Sequence, residues 1–160
     1  MRKKVLILTD YYLPGVKGGG PIQSIKNIVD NLADELDFYI LTTDRDFGDK
    51  KPYENVDKDT WIQVGKAKVF YTDKSKLTFN KLINILKKLD YEILYLNSFF
   101  SYKFSIMPIL LKKANKVPGK IVLAPRGEFS PGALGLKSNK KSLYIHLSKI
   151  LNLYKNIKWH

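Results

Sequence analysis

Three short stretches of this chain hold residues whose types and spacing could act on a ligand. Asp10–Pro21 reads DYYLPGVKGGGP, with Gly18, Gly19 and Gly20 in succession before a proline. Glycines let the backbone approach a ligand without a Cβ in the way. A helix starting just after them would add free N–H groups and a positive dipole end, which suit a phosphate. The alternative is a plain glycine-rich turn. Asn97–Tyr102, NSFFSY, sets polar Asn97 and Ser98 beside two phenylalanines that form either a ligand platform or part of the core. Ala124–Lys137, APRGEFSPGALGLK, holds the isolated Arg126, whose planar fork can grip a phosphate or carboxylate. Glu128 in the same run is the only acid of the last 60 residues and is expected to have a cationic neighbour, Arg126 itself in the simplest case.

Several chemistries are excluded at this stage. Taking G-x-G from Gly18 and Gly20, the third glycine of a dinucleotide fingerprint falls at Gln23, so a dehydrogenase or epimerase reading is disfavoured. No G-x-x-x-x-G-K-[ST] run is present, and neither a Ser-His-Asp nor an H-E-x-x-H arrangement can be assembled. His146 sits inside a helical pattern with no second histidine at metal spacing, so no metal site is expected. With no cysteine, disulfides, zinc–thiolate sites and thiol catalysis are ruled out, which agrees with a cytoplasmic setting. No catalytic residue and no cofactor is assigned.

The charge is lopsided. Of the formal +13, residues 1–100 hold 16 basic and 14 acidic side chains, while residues 101–160 hold 12 basic side chains and Glu128. Such a field attracts polyanions, anionic lipid headgroups or phosphorylated substrates, unless it is only a solvated lysine-rich surface. No nucleic-acid-binding motif accompanies it, and no nucleic-acid partner is expected.

The loops are positioned by alternating strand and helix patterns. Apolar runs of strand length occur at Lys4–Thr9, Asp37–Thr43, Ala67–Thr72, Ile93–Asn97 and Lys120–Ala124, and Ile157–His160 could open a sixth. The first run is too short for the apolar core of a signal peptide, roughly 7–15 residues, and is closed by Asp10. Helical spacing covers Ile22–Leu36, Thr78–Leu89 with Thr78 as N-cap, Tyr102–Asn115 with Pro108 near a first turn or a kink, and a long amphipathic Leu136–Tyr154. Asp44–Lys66 is expected to be a long excursion at the sheet edge. Apolar strands each followed by a helix predict a parallel sheet covered on both faces, an α/β Rossmann-like doubly wound domain spanning residues 1–160. Ligands of such folds bind beyond the carboxyl ends of the strands, which singles out the same three loops.

The order strand, D-Y-Y-x-P, G-V-K-G-G-G-P, helix resembles the opening of family-4-like glycosyltransferases of the GT-B fold. Thr42–Tyr53 (TTDRDFGDKKPY), the Trp61 to Tyr71 region, Tyr95–Phe100 (YLNSFF), Ala124–Lys137 and the terminal KWH (Lys158–His160) are similar to a bacterial branch associated with capsular and other surface polysaccharides. The P-R-G-E-F-S-P-G-A-L run is the most specific part.

The resemblance implies a retaining, metal-independent enzyme built of two Rossmann-like halves, moving a sugar from a nucleotide-sugar donor to a saccharide or lipid-linked acceptor. On that expectation this chain is the acceptor-side N-terminal half. The C-terminal half, with its E-x7-E motif and Arg/Lys pair for the diphosphate, would lie beyond His160. Gly18, Gly19 and Gly20 would approach the donor phosphate or sugar. Arg126, Gly127, Glu128 and Ser130 would line the acceptor side, beside Asn97 and Ser98. Many relatives have a histidine after the fourth strand; here that position is Asn97. The basic Lys137–Tyr154 segment would either pack on the sheet or rest on an anionic membrane surface at the inner face. The alternative function is a non-enzymatic Rossmann-like module for a phosphorylated or nucleic-acid ligand.

Overall fold

The structure, a computed structural model, describes residues 2–135 and 138–160. The start of the expected 136–154 helix and the last two residues of the 124–137 run lie outside the described residues. Seven strands form one sheet: β1 (Lys3–Leu8), β2 (Leu36–Thr43), β3 (Trp61–Val64), β4 (Ala67–Thr72), β5 (Ile93–Leu96), β6 (Lys120–Leu123) and β7 (Lys158–Trp159). Their spatial order is β3-β4-β2-β1-β5-β6-β7. All neighbouring pairs are parallel except β3 with β4. With β3 set aside, the six parallel strands follow the 3-2-1-4-5-6 order of a doubly wound dinucleotide-type sheet, so the α/β Rossmann-like architecture is present.

The central strands β1, β2, β4, β5 and β6 are mainly apolar because both faces of the sheet are covered there. In β1, Leu6 and Leu8 point to one face and Val5 and Ile7 to the other, and all four are buried. The first face carries α2 (Phe79–Lys87) and α3 (Met107–Lys113), through Leu82, Leu86, Met107 and Leu111. The second carries α1 (Gly20–Leu32), through Ile22, Ile25 and Val29. Thr78 caps α2 by accepting from the Lys81 N–H, and Pro108 sits in the first turn of α3, where its missing N–H costs nothing. A π-helical turn, Tyr102–Ile106, precedes α3.

Three expectations change. The helix predicted to reach Leu36 stops at Leu32, and Leu36 instead opens β2, paired with Lys3. The Asp44–Lys66 excursion contains an edge strand, β3, that turns back through Gly65 (φ 57°) to lie antiparallel on β4. The last helical region is two pieces, α4 (Pro131–Gly135) and α5 (Ser138–Ile150), followed by turns at Leu151–Asn156. Tyr144 and Ile145 pack inward, whereas Leu143, Leu147 and Ile150 stand exposed. The apolar side of α5 therefore does not lie wholly on the sheet.

Leu94 is fully buried in the strand between β1 and β6. Leu94→Ala is expected to lower the unfolding free energy by about 2–5 kcal/mol, read from urea denaturation, because surrounding strands cannot close the cavity.

Candidate functional site

The crossovers after β1 and β5 run to opposite faces of the sheet, and a crevice opens where they part. It holds a cavity of about 310 Å³ lined by Thr9, Asp10, Tyr11, Lys17, Gly18 and Pro21 from the first loop. Asn97 and Ser98 follow β5, Arg126 and Glu128 follow β6, and Phe47 reaches in from the loop after β2. The three loops ranked by sequence thus meet at one place.

The floor is a hydrogen-bonded chain. Arg126 Nε donates to Asn97 Oδ1 at 2.6 Å, and Asn97 Nδ2 donates to Thr9 Oγ1 at 3.3 Å. Thr9 Oγ1 donates onward to the Tyr11 carbonyl at 3.2 Å. The same guanidinium donates through Nη1 to Ser24 Oγ (3.0 Å) on α1 and through Nη2 to Tyr95 Oη (2.9 Å) on β5. Arg126 adopts φ 55°, a left-handed backbone uncommon for a residue with a side chain. That turn swings the fork back over the strand ends. Tyr95 Oη also lies 2.7 Å from His160 Nδ1. Burial pushes the Tyr95 phenol up, against the opposing pull of the Arg126 charge.

The glycine loop is held by a residue from another element. Asp46, buried after β2, accepts from Val16 N–H (2.7 Å) and Lys17 N–H (3.0 Å) with one oxygen and from Phe47 N–H (2.7 Å) with the other. Burial alone would raise its pKa, but the N–H groups of Lys17, Val16, Phe47 and Gly18 outweigh it and hold the carboxyl below the usual range. Gly15 is packed so closely on Tyr53 and Asp46 that no Cβ fits. Gly18 lines the cavity, and a Cβ there would meet Tyr11 and Ile22 at 2.9 Å. Gly19 is the N-cap of α1 at φ 66°, and Gly20 is its first residue.

Glu128 differs from expectation. Among the described residues it forms no ion pair, with Arg126 or with any other cation. It accepts instead from Ser98 Oγ at 2.7 Å and from the Phe99 N–H. The reason is geometric: the left-handed turn at Arg126 sends the guanidinium towards Asn97 and Tyr95, while Glu128, two residues on in a short 3₁₀ turn, faces the start of the Asn97–Tyr102 loop. Phe99 is part of the core, stacked on Tyr154 at 4.6 Å and in contact with Phe100 and Phe129; neither phenylalanine lines the switch-point cavity, and Phe99 with Phe129, Tyr154 and Trp159 borders a separate hollow of about 850 Å³. Gly127 and Ser130 do not line the cavity. Gly127 sits in the 3₁₀ turn, and the Ser130 hydroxyl accepts from the Ala133 N–H at the start of α4. The wall that sequence reasoning missed is Tyr11 against Phe47, edge to face at 5.6 Å. It also missed Asp46, Ser24, Tyr95 and His160, although Asp46, Tyr95 and His160 fall within the TTDRDFGDKKPY, YLNSFF and KWH stretches.

The cavity therefore offers two acids, two cations, an amide, hydroxyls and an aromatic edge. Asp10 is already ion-paired with Lys74, and Lys17 with Asp49 at 2.5 Å. Three N–H groups of Arg126 are committed within the protein, leaving two. No protein-family model matches the chain, and no curated protein matches it.

Two outcomes follow. Because folding lowers the Asp46 pKa, its stabilisation is complete above its unfolded value near ~3.9 and is lost as pH falls through the folded value. Asp46→Asn should thus be less stable at pH 7 by about 1–3 kcal/mol and lose less stability than the parent between about pH 4 and pH 2, measured by urea unfolding across pH. Arg126→Lys, which keeps the charge but cannot aim three N–H groups at Asn97, Ser24 and Tyr95, should cost about 1.5–3 kcal/mol in the same assay.

Proposed function

We propose that this chain is the acceptor-side half of a nucleotide-sugar-dependent, retaining glycosyltransferase acting in surface polysaccharide assembly. The observation that supports this reading best is the composition of the switch-point cavity. It pairs Ser98 and Glu128, a hydroxyl and a carboxylate with lone pairs left over, with the apolar edges of Tyr11 and Phe47. Hydroxyl-rich ligands are held in this way, by paired donors and acceptors around the rim and by C–H surface against a ring.

On this reading the positive end of α1, with the Gly20 N–H left open while Gly19 N–H donates to the Val16 carbonyl, faces the developing charge of the leaving diphosphate, and Ser98 and Glu128 orient the acceptor hydroxyl. The committed guanidinium of Arg126 acts as a positioning residue, because it fixes Asn97 and the β5 end and has little left for a phosphate. Cationic stabilisation of the diphosphate belongs to the other half of such an enzyme, so these 160 residues alone turn over no nucleotide sugar. The alternative of a phosphate-binding module draws less from the cavity, whose lysine and aspartate charges are paired internally.

Titration of the ¹⁵N-labelled chain with soluble oligosaccharides should move the amide signals of Gly18, Ser98 and Glu128. Ser98→Ala should weaken the response by about five- to ten-fold, the worth of one lost hydrogen bond. Signal changes at these residues with dinucleotides or oligonucleotides but not with saccharides would refute the acceptor role. Release of nucleoside diphosphate by the isolated chain would refute the half-enzyme role.

A further inference from the structure

A second concavity lies at the opposite edge of the sheet, where β6 and β7 begin. It measures about 510 Å³ and brings together five lysines from three separate places. Lys112 and Lys113 come from the last turn of α3, Lys120 is the first residue of β6, and Lys155 and Lys158 come from the turn before β7 and from its first residue. No carboxylate lines it. Among the described residues none of the five lysines is in an ion pair, and only Lys113 has a hydrogen-bond partner for its ammonium, the Leu151 carbonyl at 2.8 Å. The floor is apolar, with Ile121 and Leu153 buried beneath the lysines.

Part of this has an ordinary cause. Lysines in the last turn of α3 favour the negative end of its dipole, which accounts for Lys112 and Lys113. It does not account for Lys120, Lys155 and Lys158 converging on the same hollow. Like charges drawn together around a low-polarity floor repel one another, and a multiply charged anion relieves that repulsion. Asn115 and Asn156, both left-handed, also line the hollow. Lysine ammonium groups act as point charges suited to phosphate, and the apolar floor suits the carbon skeleton of an ester.

We propose that this lysine-ringed cavity is a binding site for a phosphate ester, distinct from the switch-point cavity. β6 runs from Lys120 at this site to Leu123, beyond which Arg126 serves the other, so about 10–13 Å of strand separates them. The proposal is independent of the glycosyltransferase reading. The phosphate could belong to a soluble ester or to a phospholipid headgroup.

Lysine acetylation of the intact chain, mapped by mass spectrometry, separates these sources. The chain is labelled alone, with inorganic pyrophosphate, with vesicles containing an anionic phospholipid, and with neutral vesicles. Acetylation of Lys120, Lys155 and Lys158 should fall several-fold while exposed Lys50 and Lys51 are unchanged. Protection by pyrophosphate assigns a soluble phosphate-bearing ligand, and protection by anionic vesicles alone assigns a headgroup. The surface variant Lys120→Gln/Lys158→Gln should lose protection at Lys155. Equal protection at Lys50 and Lys51, protection that persists in the double variant, or no protection by either probe would overturn the proposal.

Discussion

A guanidinium can only donate, and that single constraint orders the carboxyl edge of this sheet. Arg126 Nε must meet an acceptor, so the Asn97 amide presents Oδ1 to it and turns Nδ2 towards Thr9. Thr9 follows β1 and Asn97 follows β5, so the bond between them joins the two strands where their chains part. Nη1 reaches α1 through Ser24, and Nη2 reaches back to Tyr95. One side chain thus ties together the β6 loop, both switch-point strands and the helix carrying the glycine loop. Asn97 is buried, and a buried amide with unmade bonds costs far more than an apolar residue of its size. The network holds as a whole or is disrupted as a whole.

The roof of the cavity is fixed from elsewhere. Val16 and Lys17 carry N–H groups that no regular element satisfies, and Asp46 supplies the missing acceptor from the loop after β2. That loop carries Phe47, which meets Tyr11, so the carboxylate that holds the glycine loop also sets the aromatic wall. Floor and roof therefore answer to different parts of the chain. A change at Asp46 would act on the first loop while leaving the Arg126 network in place.

The architecture was legible in the sequence because parallel strands buried on both faces leave largely apolar runs, and five of the seven strands do so; β7, two exposed residues, does not. β3 was not. Trp61–Val64 is only half-buried at the sheet edge, and its pairing with β4 depends on a turn at Gly65 rather than on its own composition. The end of α1 was misplaced because Leu36 continues the helical spacing, yet it serves β2 beside Lys3. In α5 the apolar residues are spread round the helix, and the side that faces inward, with Tyr144, Ile145 and Ser148, is the one that meets the aromatic cluster around Phe99. The three ligand loops could be ranked from position alone, since the strand-end rule needs only the strand order. Asp46 and Tyr95 lie in stretches the sequence singled out, but residues that act through a neighbour show their role only when the loops they serve are in place.

Glu128 shows how far composition can mislead about a site. In a stretch of 60 residues with 12 basic side chains, the sole acid invites an ion pair. The backbone decides otherwise: Arg126 turns left-handed and spends its fork on the strand ends, while Glu128 meets a hydroxyl and a main-chain N–H. A carboxylate has about four lone-pair positions, and neutral donors fill two of them here. A cation in the same place would pull the group towards itself and compete for what remains. Held by Ser98 and Phe99, Glu128 keeps a fixed direction and spare accepting capacity at the cavity wall. A hydroxyl-bearing ligand requires both.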